Sequence, residues 1–492
     1  MSLKSFAAKI FAKYTRNKMQ KWIDKPIQTQ QDVFDNLIHK AKNTVFGEDH
    51  QFDEIQSFKD FQERVPIRDY EALKTYVDRM VAGEESILWP GKPLYFAKTS
   101  GTTSGAKYIP LTKESMPTHI DAARNAILCY IAETGSSKFV DGKMIFLQGS
   151  PKLEEKNGVK LGRLSGISAH FVPNYLQRNR LPSWETNCIE DWETKLQKVI
   201  DETVDQDMTV MGGIPSWVQN YFEKLEEQTG EKIGDLFKNL ELFIYGGVNY
   251  EPYRSKFEKL IGRKIASIEL YPASEGFFAF QDSQEANGML LQLDSGIFYE
   301  FIKVDEFFDD SPKIYTIKDV EIDVNYVMII STTAGLWRYN LGDTVMFTNT
   351  SPYRIIVSGR IKHFTSAFGE HVIAKEVEYA LKEAQKDFDL QITEFTVAPQ
   401  LHPQEGLAHH QWLIEFDQNP TNLDRFAEAI DKNLQEQNSY YKDLREGQML
   451  ARLKITCLPK NSFSKYMKSL GKLGGQNKVP RLSNDRNIAD KL

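Results

Sequence analysis

Nine consecutive residues, Thr99-Ser100-Gly101-Thr102-Thr103-Ser104-Gly105-Ala106-Lys107, combine what a polyphosphate requires of a protein. Glycine lets the backbone approach closely, Ser and Thr supply short hydroxyl donors, and the final lysine supplies positive charge. The run follows an extended stretch, Leu94 to Ala97, and precedes Tyr108-Ile109-Pro110. It is not a P-loop, because GxxxxGK[ST] is absent. Polar surface loops of Ser, Thr and Gly are common, but this density with a terminal lysine is not, and the run reads as a phosphate cradle.

Four further segments have residue types suited to chemistry. Tyr271-Pro272-Ala273-Ser274-Glu275-Gly276 directly follows an apolar strand pattern. Strand ends that open into such turns are where α/β sheets place ligands. Tyr271 offers a ring to a purine, and Glu275 offers magnesium the single carboxylate it takes beside phosphate oxygens. Standing alone, a turn glutamate such as Glu275 is more often a solvated charge. In Leu336-Trp337-Arg338-Tyr339-Asn340-Leu341-Gly342-Asp343, the aspartate can accept both hydroxyls of a ribose. Arg338 has two readings, a phosphate partner or a partner of a neighbouring carboxylate. Ser358-Gly359-Arg360-Ile361-Lys362-His363 and Phe368-Gly369-Glu370-His371 lie where the composition shifts, as a hinge or as an ordinary linker. Leu164-Ser165-Gly166-Ile167-Ser168 with Val172-Pro173 reads as a structural loop or as the lining of an acid pocket.

The elements that must position these residues are legible from periodicity. The first ~95 residues read mostly as helices, broken at Val65-Pro66-Ile67 and Trp89-Pro90-Gly91-Lys92-Pro93. Thr112 is the expected N-cap of a helix carrying Met116, Ile120, Ala123 and Ile127. Strands are expected over Lys143–Gln148, Met208–Met211, Leu240–Tyr245 and Ile265–Leu270, with helices over Trp217–Gln228 and Tyr253–Ile261 between them. This alternation predicts an α/β domain with a largely parallel sheet flanked by helices. Val327–Ser331 and Tyr353–Val357 read as strands of a second, more antiparallel layer. Beyond Gly359 the pattern becomes a small α+β domain of typical size. Its expected helices are Glu376–Ala384 and Leu423–Glu436, the latter striped by Phe426, Ile430 and Leu434. Its expected strands are Thr393–Ala398, Gln411–Phe416 and Arg452–Cys457. The predicted domains are 1–359 and 360–492.

Composition bounds the function. The chain has 492 residues, 41% apolar and 26% charged, with a net charge of −7. It is rich enough for two or three cores, and no nucleic-acid partner is expected. Cys129, Cys188 and Cys457 are far apart and form no CxxC pair, which fits a reducing, cytoplasmic setting rather than a disulfide or zinc framework. No apolar run approaches bilayer length, so no membrane partner is expected. From Ser2 to Arg16 the chain is basic and amphipathic, and Phe6, Ile10, Phe11 and Tyr14 share a helix face. The pattern continues past Trp22 without a small-residue cleavage site, which favours a folded helix over a transit peptide.

The order of these segments resembles the adenylate-forming superfamily of acyl-CoA ligases, luciferases and peptide-synthetase adenylation domains. The Tyr271-to-Phe278 segment, the Trp337-Arg338-Tyr339 run before Gly342-Asp343, Ile109-Pro110 and Lys478-Val479-Pro480-Arg481 look most like the auxin-responsive acyl acid amido synthetases and their bacterial relatives. The resemblance implies a large N-terminal domain that binds ATP and a small carboxylic acid, and a small mobile C-terminal domain. It implies that Thr99, Ser100, Gly101, Thr102, Thr103, Ser104 and Lys107 serve the phosphates. It places Gly246, Gly247, Tyr271, Ala273 and Ser274 by the nucleotide, Glu275 on Mg²⁺, Asp343 on the ribose and Arg360 at the hinge. The superfamily's usual Pro-x-Thr-x-x-Gly-Lys tail is absent, which leaves Lys478 and His371 as alternative cations for the α-phosphate. The implied reaction is adenylation of the acid, then transfer to an amine, such as that of an amino acid. The loop-to-lysine spacing matches acyl-CoA ligases, so coenzyme A is the alternative acceptor. A non-enzymatic nucleotide-binding regulator is a third reading. Neither the particular acid nor the oligomeric state is legible.

Overall fold

The computed structural model describes residues 2–99, 107–172, 177–247, 250–361, 372–388, 390–401, 403, 406–418, 420, 422–446, 450–471, 479–483 and 485–492. The chain forms two compact units. The larger holds Met1–Gly247, Ile261–Leu341 and Val345–Ile356, and the smaller holds Val248–Leu260, Gly342–Thr344 and Val357–Leu492.

The larger unit opens with five helices: α1 (Leu3–Ile23), α2 (Pro26–Ala41), α3 (Val45–Asp49), α4 (Phe58–Arg64) and α5 (Tyr70–Val81). Their starts follow local chemistry. Ser2, Thr44, Ser57 and Asp69 each accept a backbone N–H of the first turn through the side chain, which satisfies donors a helix otherwise leaves bare. Strands β1 (Tyr95–Thr99) and β2 (Lys107–Leu111) follow as an antiparallel pair. With β4 (Glu154–Lys156) and β5 (Val159–Gly162) they make a four-stranded sheet in the order β2-β1-β5-β4. Between them, α6 (Met116–Thr134) begins three residues later than expected. Thr112 does not cap it. The Thr112 and Ser115 hydroxyls instead accept each other's backbone N–H at 3.0 and 2.9 Å, and Thr112 Oγ1 donates to the Thr333 carbonyl at 2.8 Å. The one hydroxyl thus accepts a local N–H just ahead of the helix and donates to a tertiary acceptor 221 residues away.

The main sheet has eleven strands. They are β3 (Lys143–Phe146), β6 (Arg180–Leu181), β7 (Met208–Gly212), β8 (Leu242–Gly246), β9 (Ala266–Ala273), β10 (Gly276–Phe280), β11 (Met289–Leu291), β12 (Ile297–Lys303), β13 (Asn325–Thr332), β14 (Tyr339–Thr350) and β15 (Tyr353–Arg360). Their order is β12-β13-β14-β15-β11-β10-β9-β8-β7-β3-β6. Strands β6, β3, β7, β8 and β9 run parallel. From β9 the pairing turns antiparallel through β10, β11 and β15, and β12 pairs antiparallel with β13. The strands around Val327 and Tyr353 thus join the same sheet rather than a second layer, because the β9–β10 hairpin reverses chain direction without leaving the sheet. Helices Trp192–Thr203, Pro215–Thr229 and Glu251–Ile261 alternate with the parallel strands. The core includes a ring cluster of Phe46, Phe52, Phe61, Trp89 and Trp337, all at most 2% exposed. At roughly 1.5–3 kcal/mol per buried large side chain, such a cluster holds the helical N-terminus to the sheet.

The smaller unit has β16 (Ile392–Gln400), β17 (His409–Phe416) and β18 (Lys454–Leu458) in that order. The first pair is antiparallel and the second parallel. Helices Ala374–Lys386 and Leu423–Gln437 pack in the same core, where Phe426, Ile430 and Leu434 are fully buried with Trp412. The apolar stripe read from the sequence is the buried face.

Candidate active site

The ends of the phosphate-cradle segment are pinned to a sheet. Thr99 and Lys107 stand opposite each other in the β1–β2 register. Ser100, Gly101, Thr102, Thr103 and Ser104 lie outside the described residues. The backbone N–H of Tyr108 donates to the Tyr70 hydroxyl at 2.9 Å, and Lys107 Nζ lies 5.4 Å from the centre of the Tyr70 ring. Burial pushes the Tyr70 phenol up, so it stays a neutral donor and acceptor beside the lysine.

The second group lies where parallel strands end. Gly246 closes β8 opposite Leu270 of β9. A Cβ at Gly246 would come 2.5 Å from the Leu270 carbonyl oxygen, so only glycine lets the strands approach there. Gly247 follows, exposed, at φ +83°. One residue beyond Leu270, Tyr271 is buried with its ring edge-on to Phe278 at 5.0 Å. Ala273 pairs with Gly276, so Ser274 and Glu275 form the two-residue turn of the β9–β10 hairpin, both half-buried. The structure therefore brings Gly246, Gly247, Tyr271, Ala273, Ser274 and Glu275 to one edge, the carboxyl end of the parallel strands, where open α/β sheets bind ligands.

Glu275 suits magnesium shared with a substrate phosphate. Among the described residues no group of three or more His, Cys, Asp or Glu gathers into a closed metal cage. A single half-buried carboxylate at a strand end is what magnesium takes when phosphate oxygens and water complete its shell.

The same edge includes the end of β3. There Lys195 is buried, and its Nζ donates to the carbonyls of Gln148 and Asn187, each at 2.9 Å. Burial lowers its pKa to about 8. No residue in this stretch stands out in the sequence, because a local pattern does not distinguish a buried lysine from a solvated one. Leu164–Ala169 forms a short helix with Ile167 fully buried. A Cβ on Gly149 would lie 3.3 Å from Ser165 Oγ. Ser165 Oγ and Gln148 Nε2 are buried and lack a hydrogen-bond partner among the described residues. Val172 is half-buried, and Pro173 lies outside the described residues.

Arg338 takes the structural role. Its Nε donates to both Glu300 oxygens at 3.0 Å, and its Nη1 donates to the Gln62 and Val65 carbonyls at 3.1 and 2.7 Å. Both side chains are at most 5% exposed. The guanidinium joins β12 to the turn after α4, and its phosphate reading falls away.

Asp343, five residues on, is also buried and belongs to the smaller unit. Gly342, at φ +83°, precedes it, and the Ile361 N–H donates to the Gly342 carbonyl at 2.7 Å. On the other side the Thr344 hydroxyl accepts from Ser358 Oγ at 3.0 Å. The aspartate backbone is thus clamped on both sides by the end of β15. Arg360 ends β15, and its side chain is not among those described. His371 and Lys478 lie outside the described residues. Arg481, from the same tail as Lys478, contacts Glu394, donates to the Tyr253 hydroxyl at 2.7 Å and lies 4.6 Å over the Phe395 ring. It secures the tail within the smaller unit.

The architecture is that of adenylate-forming enzymes. It superposes on 2-hydroxyisobutyryl-CoA ligase with a TM-score of 0.55 at 13% identity, over 95% of this chain and 88% of that one. It superposes on the GH3.15 acyl acid amido synthetase with a TM-score of 0.77 at 16% identity, over 97% and 95% of the two chains.

Residues 15–181 match the GH3 family N-terminal domain, 290–360 its central domain and 375–487 its C-terminal domain, and the chain belongs to the GH3 family. A jasmonoyl–L-amino acid synthetase of Nicotiana attenuata is 21% identical over 87% of this chain and 86% of its own length. An indole-3-acetic acid-amido synthetase of Arabidopsis thaliana is 21% identical over 92% and 90%. The coenzyme A alternative is not favoured, because the CoA ligases share the fold alone.

Proposed function

We propose that the protein is a ligase that uses ATP to adenylate a small carboxylic acid and transfers the acyl group to the amine of an amino acid, forming an amide. The observation that carries this reading is that named acid–amido synthetases match along nearly the whole of both chains. The glycine-lined strand edge beside Tyr271 and Glu275 supports it locally.

In the first step a carboxylate oxygen of the acid attacks the α-phosphate, and the bond to pyrophosphate breaks. Lys107 neutralises phosphate charge, Ser100, Thr102 and Thr103 donate to it, and Asp343 accepts the ribose hydroxyls. Magnesium, held by Glu275 and phosphate oxygens, would supply charge neutralisation. Arg360, with Lys478 or His371, supplies cationic charge from the smaller unit's sequence. Domains 1–359 and 360–492 divide these roles. Ser165 and Gln148 bind polar atoms of the acid. In the second step the amine nitrogen attacks the acyl carbon, AMP leaves with the bonding electrons, and the nitrogen sheds a proton. Positioning provides most of the acceleration. The setting is cytoplasmic. No described helix is long and apolar enough to cross a membrane.

The test supplies purified protein with ATP, a panel of acids and either amino acids or coenzyme A, and measures AMP release. Release that depends on amino acids supports the proposal. Release that depends on coenzyme A overturns the acceptor. Failure of every acid to promote ATP–pyrophosphate exchange overturns adenylation and leaves a nucleotide-binding regulator.

A further inference from the structure

Helix α1 has two apolar faces, and only one is used. Its inner face is anchored in the larger unit: Ser5, Ala12, Thr15, Met19 and Trp22 are buried. Ser2 Oγ and Ser5 Oγ donate to the two Asp141 carboxylate oxygens at 2.6 and 2.7 Å, and Ser5 Oγ also lies 3.0 Å from the Ser137 carbonyl. Met19 Sδ meets Cys129 Sγ at 3.7 Å.

The outer face is apolar as well. Leu3 is 86% exposed, Phe6 52%, Ile10 59%, Phe11 44% and Tyr14 63%. Exposed hydrophobic residues are ordinary when scattered, but five in twelve consecutive positions of one helix are not. Spacings of three, four, seven and eleven residues from Leu3 set Phe6, Ala7, Ile10 and Tyr14 on one ridge. The charge is equally one-sided. Leu3–Ile23 carries Lys4, Lys9, Lys13, Arg16, Lys18 and Lys21 and no acidic residue, in a chain whose net charge is −7. Helical geometry puts Lys9 and Lys13 along one flank of the ridge and Lys4 and Lys18 along the other. The ridge precedes residue 15, where the match to the GH3 N-terminal domain begins.

We propose that the outward face of α1 docks the protein on an anionic membrane surface, with Leu3, Phe6, Ile10 and Tyr14 entering the headgroup region and the flanking lysines meeting lipid phosphates. Charge complementarity selects this occupant. Lysine stems cover apolar surface while their ammonium groups reach outward, the arrangement an interfacial helix needs. Anionic lipid attracts such a cluster by about 1 kcal/mol per cation near the surface. A second copy seated ridge to ridge would bring the two sets of α1 cations together. Nucleic acid would leave the apolar ridge in water. The helix is anchored along its inner face, so the protein lies on the bilayer rather than spanning it. This revises the expectation of no membrane partner and does not depend on the proposed ligase activity.

The test is flotation of the full chain with vesicles of phosphatidylcholine alone and of phosphatidylcholine with roughly one-third phosphatidylglycerol, at low and high salt. The wild type is expected to float with the anionic vesicles, to stay down with neutral ones, and to release as salt rises. Phe6→Gln/Ile10→Gln/Tyr14→Gln should weaken partitioning about 100-fold and Lys9→Gln/Lys13→Gln about 10-fold or more, with unchanged circular dichroism and thermal unfolding. Failure of the wild type to float, flotation of the ridge variant like wild type, or equal flotation with neutral lipid overturns the proposal. A concentration-dependent dimer that the ridge variant abolishes also overturns it, in favour of self-association.

Discussion

The larger unit's Glu300 and the smaller unit's Glu376 are held in opposite ways, although the smaller unit also pairs a buried carboxylate, Asp431, with Arg445 at 3.1 Å. In the larger unit buried carboxylates are paired with guanidinium groups: Glu300 with Arg338, and Asp282 with Arg354. Its buried His119 lies alone, and burial lowers that imidazole to about 4. In the smaller unit Glu376 is held by neutral donors only, the Ile373 N–H and Asn438 Nδ2, each at 3.0 Å. Burial raises its carboxyl to about 7 against the pull of those bonds. Burial pushes both carboxyls up, Glu300 as well as Glu376, but Glu300 has a hydrogen-bonded guanidinium that pulls back and braces the fold.

The comparison breaks most readily at Arg338. Arg338→Met strands Glu300 as a buried unpaired carboxylate and should cost about 3–5 kcal/mol, read as a lower denaturant midpoint of the full chain. Lys107→Ala should do the reverse. ATP–pyrophosphate exchange should fall about 10²–10³-fold while the midpoint stays put, as for loss of one electrostatic donor in a site. If Arg338→Met unfolds normally yet loses exchange, the structural assignment of Arg338 fails.

The smallest effects lie in pH. The Glu376 carboxyl is raised above its unfolded value of 4.5, so the folded state keeps a proton that the unfolded chain loses. Stability therefore falls as pH rises from 4.5 to about 7 and then levels, by up to about 3 kcal/mol. Glu376→Gln keeps an acceptor for both donors and should flatten that slope. His119 acts in the opposite direction. Its folded pKa lies below 6.5, so the unfolded chain takes up protons first and stability falls as pH drops from 6.5 toward 4, again by up to about 3 kcal/mol. His119→Leu should remove that loss. Unfolding of each variant at pH 5 and pH 8 sharpens the contrast, and parallel slopes for the two variants would abolish it.

Much of the molecule follows from local pattern. The alternation from Lys143 to Leu270 specified the parallel strands and their intervening helices, and the stripe Phe426-Ile430-Leu434 specified a buried helix face, because 2.0- and 3.6-residue periods are properties of adjacent residues. The motif order from Thr99 to Asp343 was legible for the same reason, since each motif is a few contiguous residues. What only the tertiary structure decided were partners far apart in the chain. Arg338 chose Glu300 and the Val65 carbonyl over phosphate, the Thr112 hydroxyl found its acceptor in the Thr333 carbonyl, and the strands around Val327 and Tyr353 joined one sheet. Lys195 became buried and Glu376 half-buried. A hydrogen bond or an ion pair is settled by which groups meet after folding, and no local period encodes a donor's acceptor two hundred residues away.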